Sequence, residues 1–291
     1  PLRDIDQYVE AAEDEGLEIT AVAETHIHAD FLSGAREFAE RHGTKLYLSD
    51  EGAEEGWASD WAKDSDYDVT FMRDGDSFMI GNIEVIASHT PGHTPEHVSW
   101  VVIDRGSGAS TPIGIATGDF VFVGDLGRPD LLEQAAGMHG VQEDSARTLF
   151  HSLPKFRELG DELQVWPAHG AGSTCGKALG AVPTTTVGYE RRYNASLAAA
   201  DSGEDAFVDA ILSGQPEPQM YFARMKRDNR DGVPLLGALP RPAHLTVHEF
   251  AERAKDEGTL IIDTRLDRSG FMGKHVPGAL SAPAGVLAKL W

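Results

Sequence analysis

Four apolar runs of this chain break off at a histidine or an aspartate, and that recurrence limits what it can fold into. LEITAVAET (17–25) leads into His26, His28 and Asp30. NIEVIAS leads into HTPGHT and His93, IGIATG into Asp119, and LQVWP into His169. Apolar runs of this length read as strands entering a core. Loops at strand ends, held by a rigid sheet, are where α/β proteins place their chemistry.

Helical patterns fill the intervals. Residues 4–15 repeat Ile5, Tyr8, Val9 and Ala12 at helical spacing, with Asp4 as the expected cap and Gly16 at the end. A second helix is expected from about Ser33 to His42, followed by the short strand KLYLS. HVSWVVID reads as a further strand. Residues 143–159 read as a helix that Pro154 should break. Strands alternating with helices make an α/β fold. Residues 186–230 are helical and charged, and 231–242 (DGVPLLGALPRP) read as a linker. A new unit, 243–291, follows: a helix at 246–257, the strand TLIIDTR expected to be buried, then GKHVPGAL. It is too short to close a core of its own.

Net charge is −22, which excludes nucleic acid and acidic membrane surfaces as partners. Lys is scarce, 8 against 17 Arg, and the acid is spread along the chain, as on proteins of a high-salt cytoplasm. The hydrophobic share, 41%, is ordinary, and no run reaches the length of a membrane span. The single cysteine, Cys175, rules out a disulfide framework within the chain, so a cytoplasmic location is expected. The start at Pro1, without Met, points to an upstream segment left out.

His26-x-His28-x-Asp30 is the sharpest chemical signal. Two imidazoles and a carboxylate suit zinc or iron, and in a turn a spacing of two lets alternate side chains face one centre. Each of His93, Asp119 and His169 alone reads as a surface, capping or core residue. Together, in order and each at a strand end, they read as one metal site.

The series THIHAD, HTPGHT, TGD and PAHG resembles the metallo-β-lactamase superfamily across residues 20–170. That resemblance implies an αββα sandwich over 1–185, with 186–230 as its helical extension. TGDFVFVGDLGRPDL and WPAHGAGSTCG are similar to persulfide dioxygenases fused to rhodanese domains. YFARMKRDN looks like that group's helical extension, and DTR with HVPGAL like the start of a rhodanese domain, making 243–291 a partial rhodanese-like unit. A working rhodanese needs a nucleophilic Cys in a loop after its fourth strand. Here the only Cys precedes the tail, so the tail as it stands cannot transfer sulfur by that route.

Carried over, the resemblance implies one Fe(II) held by His26, His93 and Asp119, with O2 and a small-molecule persulfide such as glutathione persulfide as substrates. Zinc is the alternative metal, and a homodimer is left open. Dinuclear hydrolases of the superfamily have a final His where this chain has Phe31, which argues against a full second site. Asp30 and His169 then orient water or substrate beside the metal, and His28 is either a fourth ligand or a donor behind the ligands. Arg128, in GRPD, braces its loop through Asp130 or touches substrate. Cys175 is either a small buried residue or a reactive thiol relaying sulfane sulfur, with a pKa lowered by nearby metal or His. Tyr189 and Arg191 are candidates for the thiol's carboxylates. The competing activities are a zinc thioester hydrolase resembling glyoxalase II and a non-catalytic sulfur carrier.

Overall fold

The computed structural model describes residues 1–134, 140–237 and 243–283. The chain divides into two compact units, Pro1–Gly237 and Ala238–Trp291. The expected linker lies outside the described residues from 238 to 242, as does the end of the tail from 284 onward.

The first unit is built on two sheets. β1 (Ala21–Ala23), β2 (Lys45–Ser49) and β3 (Val69–Met72) form a parallel three-stranded sheet. β4 (Ser77–Ile80), β5 (Ile83–His89), β6 (Val98–Asp104), β7 (Gly114–Gly118), β8 (Gln164–Pro167) and β9 (Thr185–Thr186) form the second, in that spatial order. Its neighbours are antiparallel except β7 and β8.

Side-chain alternation makes the layers. In β2, Leu46 and Leu48 face α1 (Asp6–Asp14) and α2 (Ala35–His42), packing with Ile5, Phe38 and Ala39. Tyr47, between them, turns the other way and joins Met72, Ala87, Val98 and Trp100 between the sheets. Likewise Ile115 of β7 faces outward while Ala116 lies against the inter-sheet layer. The outer face of the large sheet is covered by α5 (Gln142–Arg157), α6 (Val187–Tyr193), α7 (Ala195–Ala200) and α8 (Glu204–Leu212) through Leu149, Leu153, Phe156, Leu197, Phe207 and Ile211. Short helices α3 (Asp60–Lys63) and α4 (Leu131–Gln134) and the longer α9 (Phe222–Asp231) complete the unit. This is the expected α/β sandwich, with helices outside two facing sheets.

Several local expectations change. The strand foreseen over 17–25 is confined to Ala21–Ala23, because the Leu17 N–H turns back to Ala12 O and closes α1. Asp4 does not cap α1. Ile5 holds that position without a side-chain bond, and the Asp4 carbonyl accepts from Gln7 instead. Pro154 does not break α5, which runs through it. Burial of Leu149, Leu153 and Phe156 in the main core outweighs the lost hydrogen bond, at about 1.5–3 kcal/mol per side chain against roughly 3 kcal/mol for the proline. The short strands β3, β4 and β9 carry too little pattern to be foreseen.

In the second unit, α10 (Val247–Arg253) opens with a capping box between Thr246 and Glu249, and α11 (Arg268–Gly273) is capped by Asp267. β10 (Ile262–Asp263) pairs in parallel with β11 (Leu280–Ser281). The TLIIDTR strand is not buried as expected: Leu260 is 58% and Ile262 37% exposed. Two strands are too few to cover both faces of a sheet, and among the described residues of this unit Ala282 is the one fully buried apolar side chain. Among the described residues no helix is long and apolar enough to cross a membrane.

Candidate metal centre

The four strand-end segments converge. His26, His28 and Asp30 follow β1, His93 follows β5, Asp119 follows β7 and His169 follows β8. His26, His93 and Asp119 each offer one donor atom, and the three atoms lie within 4.8 Å of one another. All three residues are buried. The His26 and His93 rings meet edge to face at 4.9 Å, and His93 Nε2 is 3.6 Å from Asp119 Oδ2.

Each member is held from behind. His93 Nδ1–H donates to the Arg128 carbonyl at 3.0 Å, which leaves Nε2 free to face the cluster. His26 Nδ1 pairs with Thr25 Oγ1 at 2.9 Å, and His26 Nε2 is buried without a hydrogen-bond partner. The Asp119 backbone N–H donates to His97 Nε2 at 3.0 Å, while Asp119 Oδ1 has no hydrogen-bond partner. His97 Nδ1 in turn pairs with Thr90 Oγ1, and its ring stacks on His26 at 5.1 Å. Burial, then neighbouring cations, holds His26 and His93 well below the usual imidazole pKa, so both are neutral with free lone pairs. Burial raises the Asp119 pKa, a cost a bound cation would reverse. Two neutral imidazoles and a carboxylate with orphaned donor atoms fit a divalent transition metal.

Two glycines fit the ligand loops to the core. Gly92, at φ +135°, packs so tightly on α5 that a Cβ there would lie 2.4 Å from Leu149 Cβ. Ser152 Oγ–H donates to the Pro91 carbonyl beside it. A Cβ on Gly127 would lie 1.7 Å from the Asp119 carbonyl oxygen, a backbone atom that cannot swing aside. Gly127→Ala is expected to displace Asp119 and weaken metal retention by about 10–100-fold, the range typical of lost ligand support, as read by dialysis against a chelator. Unchanged retention would show that the loop absorbs the methyl group without moving the ligand.

A second group lies alongside. Asp30, His169 and Cys175 offer donor atoms within 4.8 Å of one another. His169 Nε2 is 3.3 Å from Asp30 Oδ2 and 3.4 Å from Asp119 Oδ1, although neither approach is aligned as a hydrogen bond. Cys175 is buried. Burial, with the Asp119 and Asp30 carboxylates, pushes its thiol pKa far up.

His28 stands outside both groups. Its Nε2 is engaged by Glu24 Oε2 at 2.8 Å, and its ring packs on Phe31 with centroids 4.3 Å apart. Burial disfavours its charge, but Glu24 and Asp30 outweigh that and raise its pKa. Its Nδ1 is buried without a hydrogen-bond partner and its ring lies 4.3 Å from that of His26, a geometry compatible with a fourth ligand as well as with a donor behind the ligands. Arg128 is fully buried, its guanidinium turned to Asp130 (2.9 and 2.6 Å) and to the Thr174 carbonyl (2.9 Å). It reaches the centre through its own carbonyl, not its side chain. Arg191 is held by Asp161 at 2.7 Å and the exposed Tyr189 packs at a tilt against Tyr193, and neither joins the clustered groups.

Four further residues were not singled out as site candidates, although two of them, Lys226 and Asn229, lie in the YFARMKRDN run. His97 and Glu96 sit at the start of β6. Asn229, on α9, donates to the His28 and Phe31 carbonyls and accepts from Ser33 N–H. Lys226 lies one turn before it.

The fold agrees with comparisons to known proteins. Residues 2–169 match the family model described as the metallo-beta-lactamase superfamily. The crystal structure of a metallo-beta-lactamase from Staphylococcus aureus subsp. aureus COL superimposes with a TM-score of 0.81 at 38% identity, covering 98% of this chain and 76% of that one. ETHE1 from Myxococcus xanthus shares the fold, with a TM-score of 0.59 and 23% identity over 79% of this chain and 85% of that one. A hydroxyacylglutathione hydrolase from Gloeobacter violaceus is 31% identical over 157 residues, 53% of this chain. The chain spans about half (50%) of that relative's length. Two facing sheets between helices, histidines and carboxylates gathered at the strand ends, and the family match over 2–169 lead to one assignment: this chain belongs to the metallo-beta-lactamase superfamily.

Proposed function

We propose that the protein is a persulfide dioxygenase at a mononuclear non-haem iron, converting R–S–SH, O2 and water into R–SH and sulfurous acid, which ionises to sulfite. The observation that carries this reading is the buried His26–His93–Asp119 triad, with Phe31 in the segment that follows His28. Phe31 places a phenyl ring against His28 where dinuclear relatives have a further imidazole. Ferrous iron held by His26, His93 and Asp119 would supply the electrons for O2 activation.

The protein's own groups position and shield. The Arg128 carbonyl and Thr25 hydroxyl fix the two rings, and His97 fixes the Asp119 backbone. Burial of the triad keeps bulk water away from the reacting sulfur. His169 Nε2, between Asp30 Oδ2 and Asp119 Oδ1, is placed to hold a proton released by the attacking water. The reading extends to a glutathione-type thiol as carrier.

A second reading is a zinc thioester hydrolase. The Asp30–His169–Cys175 group offers three further donors for a second ion, and the similarity to a hydroxyacylglutathione hydrolase points the same way. Metal analysis of freshly reduced protein, with O2 uptake on glutathione persulfide, separates the two. One iron per chain and one sulfite formed per O2 consumed are expected. Two zinc ions per chain, no O2 uptake and cleavage of a glutathione thioester would replace the dioxygenase with the hydrolase.

A further inference from the structure

One buried cation of the first unit, Lys226 at 3% exposure, makes neither a hydrogen bond nor an ion pair among the described residues. Arg128, also buried, is fully paired with Asp130. Leaving an ammonium unpaired in an interior is costly, so an unpaired one needs a reason.

Its placement supplies one. Phe222, Lys226 and Asn229 fall four and three residues apart on α9 and share a face. Phe222 packs with Ala29 and Cys175, and Asn229 is bonded to the His28 and Phe31 carbonyls. Lys226 lies between these two anchors, facing the same loop. Its Nζ is 4.6 Å from the centroid of the Trp57 ring. Trp57 packs on Ile27, the residue between His26 and His28. Glu96 Oε1 accepts the Ile27 N–H at 2.7 Å, while Glu96 Oε2 is itself buried without a hydrogen-bond partner and forms no ion pair with Lys226. An aromatic face attracts the ammonium but accepts poorly from its three N–H donors. Burial lowers the Lys226 pKa to about 8, while Glu96, Asp119 and Asp30 pull it up.

We infer that Lys226 Nζ is the anion-binding group of this site, receiving the negative charge on sulfur in the substrate and on oxygen in sulfite. The assignment of those anions rests on the dioxygenase reading, and the test keeps the two separable. The full chain, as purified and again after chelation, is titrated with sulfite while tryptophan emission is followed, because Trp57 lies against the amine. Wild type is expected to respond saturably. Lys226→Met, which keeps the apolar stem on Trp57, is expected to keep its metal and lose the response, with KM for glutathione persulfide raised about tenfold or more and kcat changed less, as for a lost charge-assisted contact.

Should Lys226→Met not fold, Trp57→Phe decides: removing the reporter must abolish the emission change. A sulfite response equal to wild type in either variant, or none in wild type, overturns the inference. Wild type that binds sulfite through Lys226 yet consumes no O2 with persulfide would sink the dioxygenase and leave the anion site standing.

Discussion

His93→Ala is expected to release the metal and lower turnover by more than about 100-fold, since losing even a supporting partner of a metal ligand typically costs 10–100-fold. The imidazole it removes is neutral, buried and aimed, because its Nδ1–H is committed to the Arg128 carbonyl. The neighbouring His97 does not replace it, because both of its ring nitrogens are engaged, by the Asp119 N–H and by Thr90. The fold should survive, because the ring contributes little to the apolar clusters and its removal leaves a single carbonyl to be rehydrated. Metal analysis, O2 uptake and thermal unfolding on the same preparation check this. A variant that keeps stoichiometric metal and O2 uptake would show that His93 is not a ligand. His28→Ala is the informative contrast, and it should retain the metal.

The second large effect is on stability. In Asp130→Ala, Arg128 keeps its charge in a fully buried position and loses both carboxylate contacts. Breaking a buried ion pair from one side costs about 3–5 kcal/mol, because a charge is left unpaired. For a unit of this size that corresponds to a fall in Tm of roughly 10 °C. Metal affinity should fall as well, since the Arg128 carbonyl that orients His93 belongs to the loop this pair closes, and the same guanidinium ties that loop to Thr174 O. Calorimetry and chelator competition measure the two effects together. An unchanged Tm would mean that water reaches Arg128 and that the pair is not sealed as the structure describes it.

The two variants touch residues of very different legibility. His93 stands out in the sequence because HTPGHT follows an apolar strand and joins an ordered series. Pairing of Arg128 with Asp130 was foreseen as one option for GRPD, since two residues in a tight turn are near each other whatever else the chain does. By contrast, the contact that matters to the metal, from the Arg128 carbonyl to His93, joins residues 35 apart. No local pattern encodes it. Cys175 shows the same limit in another form. A lone thiol six residues after His169 invites a reactive role, yet its protonation depends on Asp119 and Asp30, brought beside it by other strands.

Local chemistry determined much of this protein. Apolar runs of strand length, the ligands at their ends and the helical stripes between them are short-range features, so composition and spacing reveal them. The two-layered α/β plan and the list of candidate donors follow from that. Tertiary structure alone decided the division of labour among those donors. It engaged His93 Nδ1 with the Arg128 carbonyl and His28 Nε2 with Glu24, drew Asp30, His169 and Cys175 into a second group, and carried Lys226 from 57 residues beyond His169 onto the Trp57 ring. The reason is physical: the state of a titratable group and the aim of a ligand are set by burial and by neighbours a few ångströms away. Those neighbours exist only once distant segments have packed.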